Sequence, residues 1–229
     1  MSENPLLALK AIGQHVWLDN LSRTLLREDG LQRLIKEDGV GGVTSNPSIF
    51  EKAIANSRYY REDLEHLRGQ GLDAEACYES LVIADIQAAC AMLRPAFQAS
   101  RGESGYVSLE VSPELANNTA GTVAAARRLY GLVDRDNVLI KVPATPSGIE
   151  AFFRLTVEGL SVNVTLIFSL AQYEAVVQAY LRGALGWLES GGRARHLRSV
   201  ASVFLSRVDS VVDERLNTLG TPHAARLMG

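Results

Sequence analysis

Lys141 is the residue in this sequence whose surroundings point most directly to chemistry. It interrupts the apolar run 138–143, Val-Leu-Ile-Lys-Val-Pro, and strand alternation directs it to the same face as Leu139. Burying an ammonium group on such a face is costly and favours the neutral amine, a nucleophile that forms Schiff bases with ketones and aldehydes. The alternative is a lysine on the outer face, or one that reaches the strand end to pair with a carboxylate.

Schiff-base chemistry also requires groups that transfer protons, and two carboxylates stand at the ends of predicted strands. Asp19 follows Val16-Trp17-Leu18 and could equally cap the next helix. Glu110 lies inside the apolar alternation of 107–111, where a structural explanation is harder to find. These residues are the predicted proton donors and acceptors.

Other polar residues lie on one face of neighbouring predicted strands. Ser108 shares a face with Glu110, Asn163 shares one with Thr165, and Ser202 shares one with Phe204. A polar layer repeated in several strands is hard to explain as core packing, because each buried polar group needs a partner. The pattern predicts a polar site lined by strands.

Short apolar runs alternate with longer segments of helical periodicity along the whole chain. The predicted strands are His15–Leu18, Gly41–Thr44, Tyr106–Val111, Asn137–Val142, Ser161–Phe168 and Val200–Leu205. The predicted helices are Leu21–Asp38, Tyr78–Arg94, Ala120–Leu132, Gly148–Glu158 and Leu170–Leu188, with another beginning at Ser210. This order predicts parallel strands joined by right-handed crossovers.

Two architectures fit such an order, an open doubly wound sheet and a (β/α)8 barrel. No glycine-rich phosphate loop of the G-x-G-x-x-G or G-x-x-x-x-G-K-[ST] type occurs. Each predicted strand instead ends at a reactive or hydrogen-bonding residue, as in a barrel: Asp19, Asn46, Glu110, Lys141, Thr165 and Ser202. We predict an α/β fold of the (β/α)8 TIM-barrel class, with about six of eight βα units in a single domain, 1–229, that is incomplete at its C-terminus.

Composition excludes several classes of protein. The chain has 229 residues, 47% hydrophobic and 21% charged, with a formal net charge of -3, which is typical of a globular protein. This balance predicts no nucleic-acid partner and no attraction to an anionic membrane. The longest uncharged stretch, 159–173, is too short and polar for a membrane span, and the N-terminus lacks a signal-peptide pattern, so we expect a cytoplasmic location.

Cysteine and histidine spacing predicts neither a disulfide nor a metal site. Cys77 and Cys90 lie about 20 Å apart along a helix-like stretch, so we expect reduced core residues. The four histidines show no ligand spacing: His15, His66, His196 and His223.

Six ordered motifs resemble those of the transaldolase family, in its longer bacterial form, over essentially the whole chain. They are Trp17–Arg23 (WLDNLSR), Gly42–Phe50 (GVTSNPSIF), Val107–Pro113 (VSLEVSP), Ile140–Thr145 (IKVPAT), Asn163–Ser169 (NVTLIFS) and Ser202–Arg207 (SVFLSR). The resemblance implies a class I transferase that needs no metal or cofactor and belongs to the non-oxidative pentose phosphate pathway. It would move a dihydroxyacetone unit from a ketose phosphate to an aldose phosphate, so sugar phosphates are the expected partners.

The resemblance also implies a role for each site residue. Lys141 would form the imine, Asp19 would take the proton of a substrate hydroxyl, and Glu110 with Thr165 would activate the water lost and regained at the imine carbon. Arg207 would hold the phosphate, unless it forms a surface salt bridge with Asp209 or Glu214. Further substrate contacts are expected from Thr44, Asn46, Asn163 and Ser202, and Phe204 would exclude stray water.

Two other functions stay open at this point. One is a Schiff-base fructose-6-phosphate aldolase that releases free dihydroxyacetone, for which a Tyr at position 204 would be expected instead of Phe204. The other is an inactive or interaction-only chain, because family members extend through a seventh and an eighth strand with further phosphate ligands. The sequence also leaves the acceptor aldose undetermined and allows a homo-oligomer.

Overall fold

A computed structural model of the chain describes residues 4–194 and 197–228. Its strands are β1 Trp17–Asp19, β2 Gly42–Thr44, β3 Tyr106–Glu110, β4 Val138–Pro143, β5 Val162–Ile167 and β6 Ser199–Val203. Its helices are α1 Pro5–Ala11, α2 Arg23–Arg27, α3 Gly30–Glu37, α4 Pro47–Asn56, α5 Arg61–Gly69, α6 Ala74–Ala99, α7 Thr119–Val133, α8 Pro146–Val157, α9 Leu170–Glu189, α10 Leu205–Leu219 and α11 Pro222–Ala225. Short 3-10 helices cover Arg58–Tyr60 and Pro113–Leu115.

All six predicted strands are confirmed, and each is followed by a helix. The observed strand pairs are parallel and join neighbours in sequence: β1 with β2, β2 with β3, β3 with β4, and β5 with β6. Parallel strands that alternate with helices in this order are βα units of the (β/α)8 barrel class. The predicted fold class, with six such units, is therefore confirmed.

The helix predictions are less accurate than the strand predictions. The single helix expected over 21–38 is wrong: it is divided into α2 and α3 because Asp29, between them, adopts a left-handed conformation with φ of 56°. The helices α1, α4, α5 and α11 were not predicted, and α10 begins at Leu205 rather than Ser210. Short polar N-caps define several helix starts, such as Asp73, which accepts a hydrogen bond from the Ala76 amide at 2.9 Å and begins α6.

The chain divides into two compact units, which we describe separately. The first contains the residues up to 114 together with 124–141, and the second contains 115–123 and the residues from 142 onward. The division falls directly after Lys141 in β4. The prediction of one domain stays a prediction.

In the first unit, α6 packs on the sheet through its buried face. Ile86, Cys90 and Leu93 are fully buried along this helix. Cys77 and Cys90 are both buried and free of disulfide bonds, as predicted. Gly42 permits β2 to lie against Trp17, since a Cβ atom there would come within 2.3 Å of the indole ring.

A buried polar network joins the loop after β1 to α5 and α6. Arg23 forms an ion pair with Asp85 (Nε to Oδ1, 2.8 Å) and another with Asp63, and its guanidinium lies 4.5 Å from the centre of the Tyr60 ring. The Tyr60 hydroxyl donates to Asp85 at 2.5 Å and accepts from the Arg23 amide at 2.8 Å. Burial raises the pKa of Asp85, although its bonds to Tyr60 and Arg23 oppose that shift.

The second unit is built around β5, β6, α8 and α9. The amide of Ala144, just after β4, donates to the Thr165 carbonyl at 2.8 Å. The pairing of β5 with β6 is interrupted by a bulge between Val164 and Ile167, where Leu166 adopts a left-handed φ of 62°. A bulge of this kind changes the direction of the side chains next to it.

Within this unit, α8 and α9 approach closely because α9 presents a glycine at the contact. A Cβ atom at Gly183 would lie 2.6 Å from the Cβ of Thr156. The Phe152 and Tyr180 rings stack beside it at 6.3 Å between centroids. By contrast, α10 contains no buried residue and exposes Val211, a large apolar side chain.

Among the described helices, α6 alone is long and apolar enough to cross a membrane by length and composition. In its most apolar window, 44% of the residues are buried inside the protein. A core helix of a globular protein passes the same test, and the buried ion pair of Asp85 with Arg23 fits that interpretation.

We predict that Arg23→Ala lowers the free energy of unfolding by about 3–5 kcal/mol, because it leaves the Asp85 carboxylate buried without its cation. Urea denaturation monitored by circular dichroism measures this change. Arg154→Ala is the matched control: it breaks an exposed pair with Glu150, 2.8 Å between Nε and Oε1, worth about 0.5 kcal/mol. Equal losses for the two variants would contradict the prediction.

Candidate active site

Lys141 lies near the end of β4, a strand in which every residue is buried. Only 5% of Lys141 is exposed, so it does not lie on an outer face. Its Nζ atom is 3.4 Å from Glu110 Oε2 and donates to the main-chain carbonyl of Ser45 at 3.4 Å. The amine is therefore buried, and both of these oxygen acceptors belong to the first unit.

Strand register explains why the amine meets this carboxylate. Glu110 is the register partner of Lys141 across β3 and β4, so the two side chains leave the same face of the sheet. Two residues before Glu110 on β3, Ser108 is in register with Thr44 of β2, and Thr44 is in register with Asp19 of β1. Within the first unit, the predicted polar layer on one sheet face is thus present.

Burial raises the pKa of Glu110 above the ordinary value of a glutamate. The positive charge of Lys141 and its hydrogen bond oppose this shift, while the negative charge of Asp19 adds to it. Burial also raises the pKa of Tyr78 on α6 to about 12, with further contributions from the charges of Glu110 and Glu51. The surroundings of Glu110 are therefore apolar and negatively charged, apart from the lysine.

Asp19 ends β1 and its side chain is exposed. The alternative interpretation of Asp19 as a helix cap is wrong, because Ser22 caps α2 by accepting a hydrogen bond from the Leu25 amide at 3.1 Å. Asp19 is thus a carboxylate at the strand end with access to solvent. This position is compatible with proton transfer to a ligand bound at the carboxyl ends of the strands.

Thr44 and Asn46 stand on either side of the end of β2. The Thr44 hydroxyl is buried and has no hydrogen-bond partner among the described residues. Asn46 caps α4 through Oδ1, which accepts from the Ile49 amide at 3.0 Å, a structural role that its sequence context did not predict. In the described part of the chain its amide nitrogen has no protein partner, so it can donate to a ligand.

The remaining predicted site residues lie in the second unit. Ser202 donates to Asn163 Oδ1 at 2.8 Å, and the hydroxyl of Thr165 is buried without a partner among the described residues. The Phe204 ring lies 5.5 Å from that of Phe168, measured between centroids.

Arg207 is exposed on the first turn of α10, and its guanidinium lies 5.0 Å from the centre of the Phe204 ring. Within residues 4–194 and 197–228 it forms no ion pair with Asp209 or Glu214, so the salt-bridge interpretation is wrong. An exposed guanidinium that is not paired with a carboxylate can bind an anion by bidentate hydrogen bonds.

No cluster of three or more potential metal ligands occurs among the described residues. His196, one of the four histidines considered above, lies outside them. Sequence reasoning overlooked Ser45 and Tyr78. Ser45 contacts the lysine through its carbonyl, which every residue type carries, so side-chain chemistry gave no signal for it.

Comparison with known proteins identifies the family. A family model described as Transaldolase/Fructose-6-phosphate aldolase matches residues 16–227. The chain is 55% identical over 218 residues to a protein named Transaldolase from Thiobacillus denitrificans. This alignment covers 95% of this chain and 61% of the relative. It is 49% identical over 224 residues to a Transaldolase from Frankia alni, in an alignment that covers 98% of this chain and 60% of that relative. It is 45% identical over 217 residues to Transaldolase 2 from a Nostoc species, and that alignment covers 95% of this chain and 57% of the relative.

This chain has transaldolases among its relatives. It also has a buried lysine beside a carboxylate on the strands of a (β/α) barrel fold. The chain belongs to the transaldolase/fructose-6-phosphate aldolase family. It spans about three fifths of the length of the curated relatives that it matches.

We predict that Lys141→Met raises the pKa of Glu110 further, because the opposing positive charge is lost. A carboxyl group whose folded-state pKa is raised binds more protons in the folded than in the unfolded state above about pH 4.3, so its contribution to stability is lost as pH rises. As pH rises above about 4.3, the free energy of unfolding of Lys141→Met should thus fall further than that of the wild type, by about 1.4 kcal/mol in total per unit of added shift.

Urea unfolding at a series of pH values measures this dependence. The matched control is Lys141→Met combined with Glu110→Gln, which lacks the titrating carboxyl group and should lose the added slope. If the single and double variants have the same pH dependence, Glu110 does not respond to the lysine as described.

Proposed function

We propose that the protein containing this chain is a transaldolase that transfers a dihydroxyacetone unit through a Schiff base on Lys141. The observation that carries this proposal is the buried amine of Lys141, 3.4 Å from Glu110 Oε2. A lysine amine is the nucleophile that imine formation needs, and the adjacent carboxyl group can exchange the protons that imine chemistry requires. The match to relatives named Transaldolase supports the same reaction.

Imine formation comes first in this proposal. The Lys141 amine attacks the ketone carbon of a ketose phosphate, and the resulting carbinolamine loses water to give the iminium ion. Glu110 and Thr165 act on this water when it leaves and when it returns in the final hydrolysis. The raised pKa of Glu110 supports a role in which the group is protonated in one step and ionised in another.

Carbon–carbon cleavage follows. Asp19 takes the proton from a substrate hydroxyl, the aldose departs, and the bonding electrons move into the iminium system to give an enamine on Lys141. Thr44 and Asn46 hold the hydroxyls of the three-carbon unit. In the part of the chain that the structure describes, the Thr44 hydroxyl and the Asn46 amide nitrogen have no protein partner, which supports this role. Asn163 and Ser202 contribute further contacts to this unit.

Transfer requires that the enamine survives until an acceptor aldehyde arrives. Phe204 excludes water from the intermediate, and its contact with the Phe168 ring supports an apolar environment there. Arg207 binds the phosphate of donor and acceptor. Its exposed guanidinium supports this role, since a near-neutral protein binds sugar phosphates through a local positive group.

The biological setting is also part of the proposal. Donors would be sedoheptulose 7-phosphate or fructose 6-phosphate, and acceptors glyceraldehyde 3-phosphate or erythrose 4-phosphate, in the non-oxidative pentose phosphate pathway of the cytoplasm. The reaction would need no cofactor or metal, and we expect neither nucleic acid nor membrane as a partner. We further propose that 1–229 belongs to one barrel domain; homo-oligomerisation is compatible with this function.

Incubation with fructose 6-phosphate and borohydride should trap a reduced adduct on Lys141. Borohydride reduces the imine to a stable secondary amine, so peptide mass spectrometry should find Lys141 as the one modified lysine among the four of this sequence. The Lys141→Ala variant should take up no adduct, whereas Lys52→Ala, which removes an exposed lysine on α4, should label like the wild type. Adduct that persists in Lys141→Ala would contradict the proposed function.

A Schiff-base aldolase that releases free dihydroxyacetone is the second candidate, because the family model covers both activities. Position 204 separates the two candidates. An aromatic ring without a hydroxyl, packed on Phe168, offers no group that could protonate the enamine or position a water beside it. The Phe204 side chain therefore favours transfer.

Phe204→Tyr should increase the release of free dihydroxyacetone when no acceptor aldehyde is present, because the phenol supplies a proton-transferring group near the intermediate. We expect a rise of about tenfold or more, which is below the range of about 10²–10⁴-fold typical of a fully optimised acid or base. Measurement of dihydroxyacetone from fructose 6-phosphate alone tests this. The matched control is Phe168→Tyr, and rapid release by the wild-type protein would favour the aldolase instead.

A further inference from the structure

Ser45 is a fully buried residue that forms hydrogen bonds with the candidate nucleophile and with the strand that carries Glu110. It follows β2, and its main-chain carbonyl accepts the hydrogen bond from Lys141 Nζ at 3.4 Å. Its hydroxyl donates to the carbonyl of Ser108 at 3.0 Å. Ser108 lies in β3, two residues before Glu110, so one side chain ties the acceptor carbonyl to the strand that carries the carboxylate.

The peptide of Ser45 is also fixed on its other side. The next residue, Asn46, caps α4 through its bond to the Ile49 amide, and Pro47 occupies the first position of that helix. Because proline restricts its own φ and the conformation of the residue before it, the turn from β2 into α4 has little freedom. The Ser45 carbonyl is thus held at one place beside Lys141.

The two acceptors beside the Lys141 amine restrict the direction in which its lone pair can point. A neutral lysine amine has two N–H bonds and one lone pair, and the acceptors beside it are the Ser45 carbonyl and Glu110 Oε2, each 3.4 Å from Nζ. When both N–H bonds are donated to these oxygens, the lone pair points away from them. We propose that Ser45 is a positioning residue that orients the Lys141 lone pair for attack; the inference rests on the proposed Schiff-base function.

The step that Ser45 assists is the addition of the amine to the ketone. The nitrogen lone pair forms the N–C bond, the ketone oxygen takes up a proton, and the nitrogen gives up one proton to complete the neutral carbinolamine. The C–O bond then breaks as the hydroxyl leaves with a second proton as water, and the iminium ion keeps one N–H. The balance is one amine, one ketone and one proton giving one iminium ion and one water.

The same pair of strands carries a matched hydrogen bond far from the lysine. Ser104 is buried like Ser45, and its hydroxyl donates to the carbonyl of Gly41 at 3.0 Å. This bond ties the segments that precede β2 and β3, at the opposite end of the strands from Lys141. Ser104→Ala therefore removes the same type of buried bond between the same two strands without touching the amine.

The test compares Ser45→Ala with Ser104→Ala and the wild type by single-turnover trapping with fructose 6-phosphate and borohydride. We expect Ser45→Ala to lower the trapping rate at saturating substrate by about tenfold or more, since small misplacements of a reacting group can cost up to about a hundredfold. The substrate concentration at half-maximal rate should stay unchanged, because Ser45 does not bind substrate. Ser104→Ala should keep the wild-type rate.

Thermal melting distinguishes positioning from general destabilisation, and the two alanine variants should lose similar stability. Ser45→Cys, which keeps a weak donor, should trap at an intermediate rate and serves as the test if Ser45→Ala does not fold. Equal trapping rates for the Ser45 and Ser104 variants would overturn the inference, as would a change in half-saturation without a change in rate. Failure of the wild type to trap any adduct would instead refute the proposed function.

Discussion

The central physical constraint is the placement of the amine of Lys141 inside an apolar strand. A buried nitrogen needs acceptors from the protein, and that of Lys141 has a carboxylate on β3 and a main-chain carbonyl after β2. Three strands must therefore keep a fixed register, because a slip of one residue would turn Glu110 to the opposite face. The proposed chemistry of the site and the pairing of β2, β3 and β4 depend on the same geometry.

A second buried charge lies at the start of α2, just after the loop that follows Asp19. Arg23 lies four residues after Asp19, and it is held by Asp85 and Asp63 while its amide donates to the Tyr60 hydroxyl. Buried ion pairs contribute little net stability compared with apolar packing, but breaking one is expensive. The network thus fixes where the chain leaves β1, and it does so with groups from α5 and α6 that were not expected from sequence to act on this loop.

The parts of the structure predicted from sequence are those that depend on local pattern. Strand alternation located all six strands and the inward face of Lys141, because a period of two survives in any parallel sheet. The division of the helix expected over 21–38 was not predicted, since it depends on a left-handed φ at Asp29, which the pattern does not reveal. The bulge at Leu166 and the carbonyl of Ser45 were missed for the same reason: each is a property of the folded backbone rather than of a side-chain type.

The buried hydroxyl of Thr44, which has no partner among the described residues, affects how ligands are discriminated. Its desolvation cost is incurred on folding, so a ligand group that bonds to it gains more than the same group would gain at a hydrated hydroxyl. A ligand that lacks such a group leaves the cost uncompensated. Sites with buried polar groups reject such analogues far more strongly than apolar pockets reject a missing methylene, so under the proposed function this threonine would favour polyhydroxylated ligands over their deoxy counterparts.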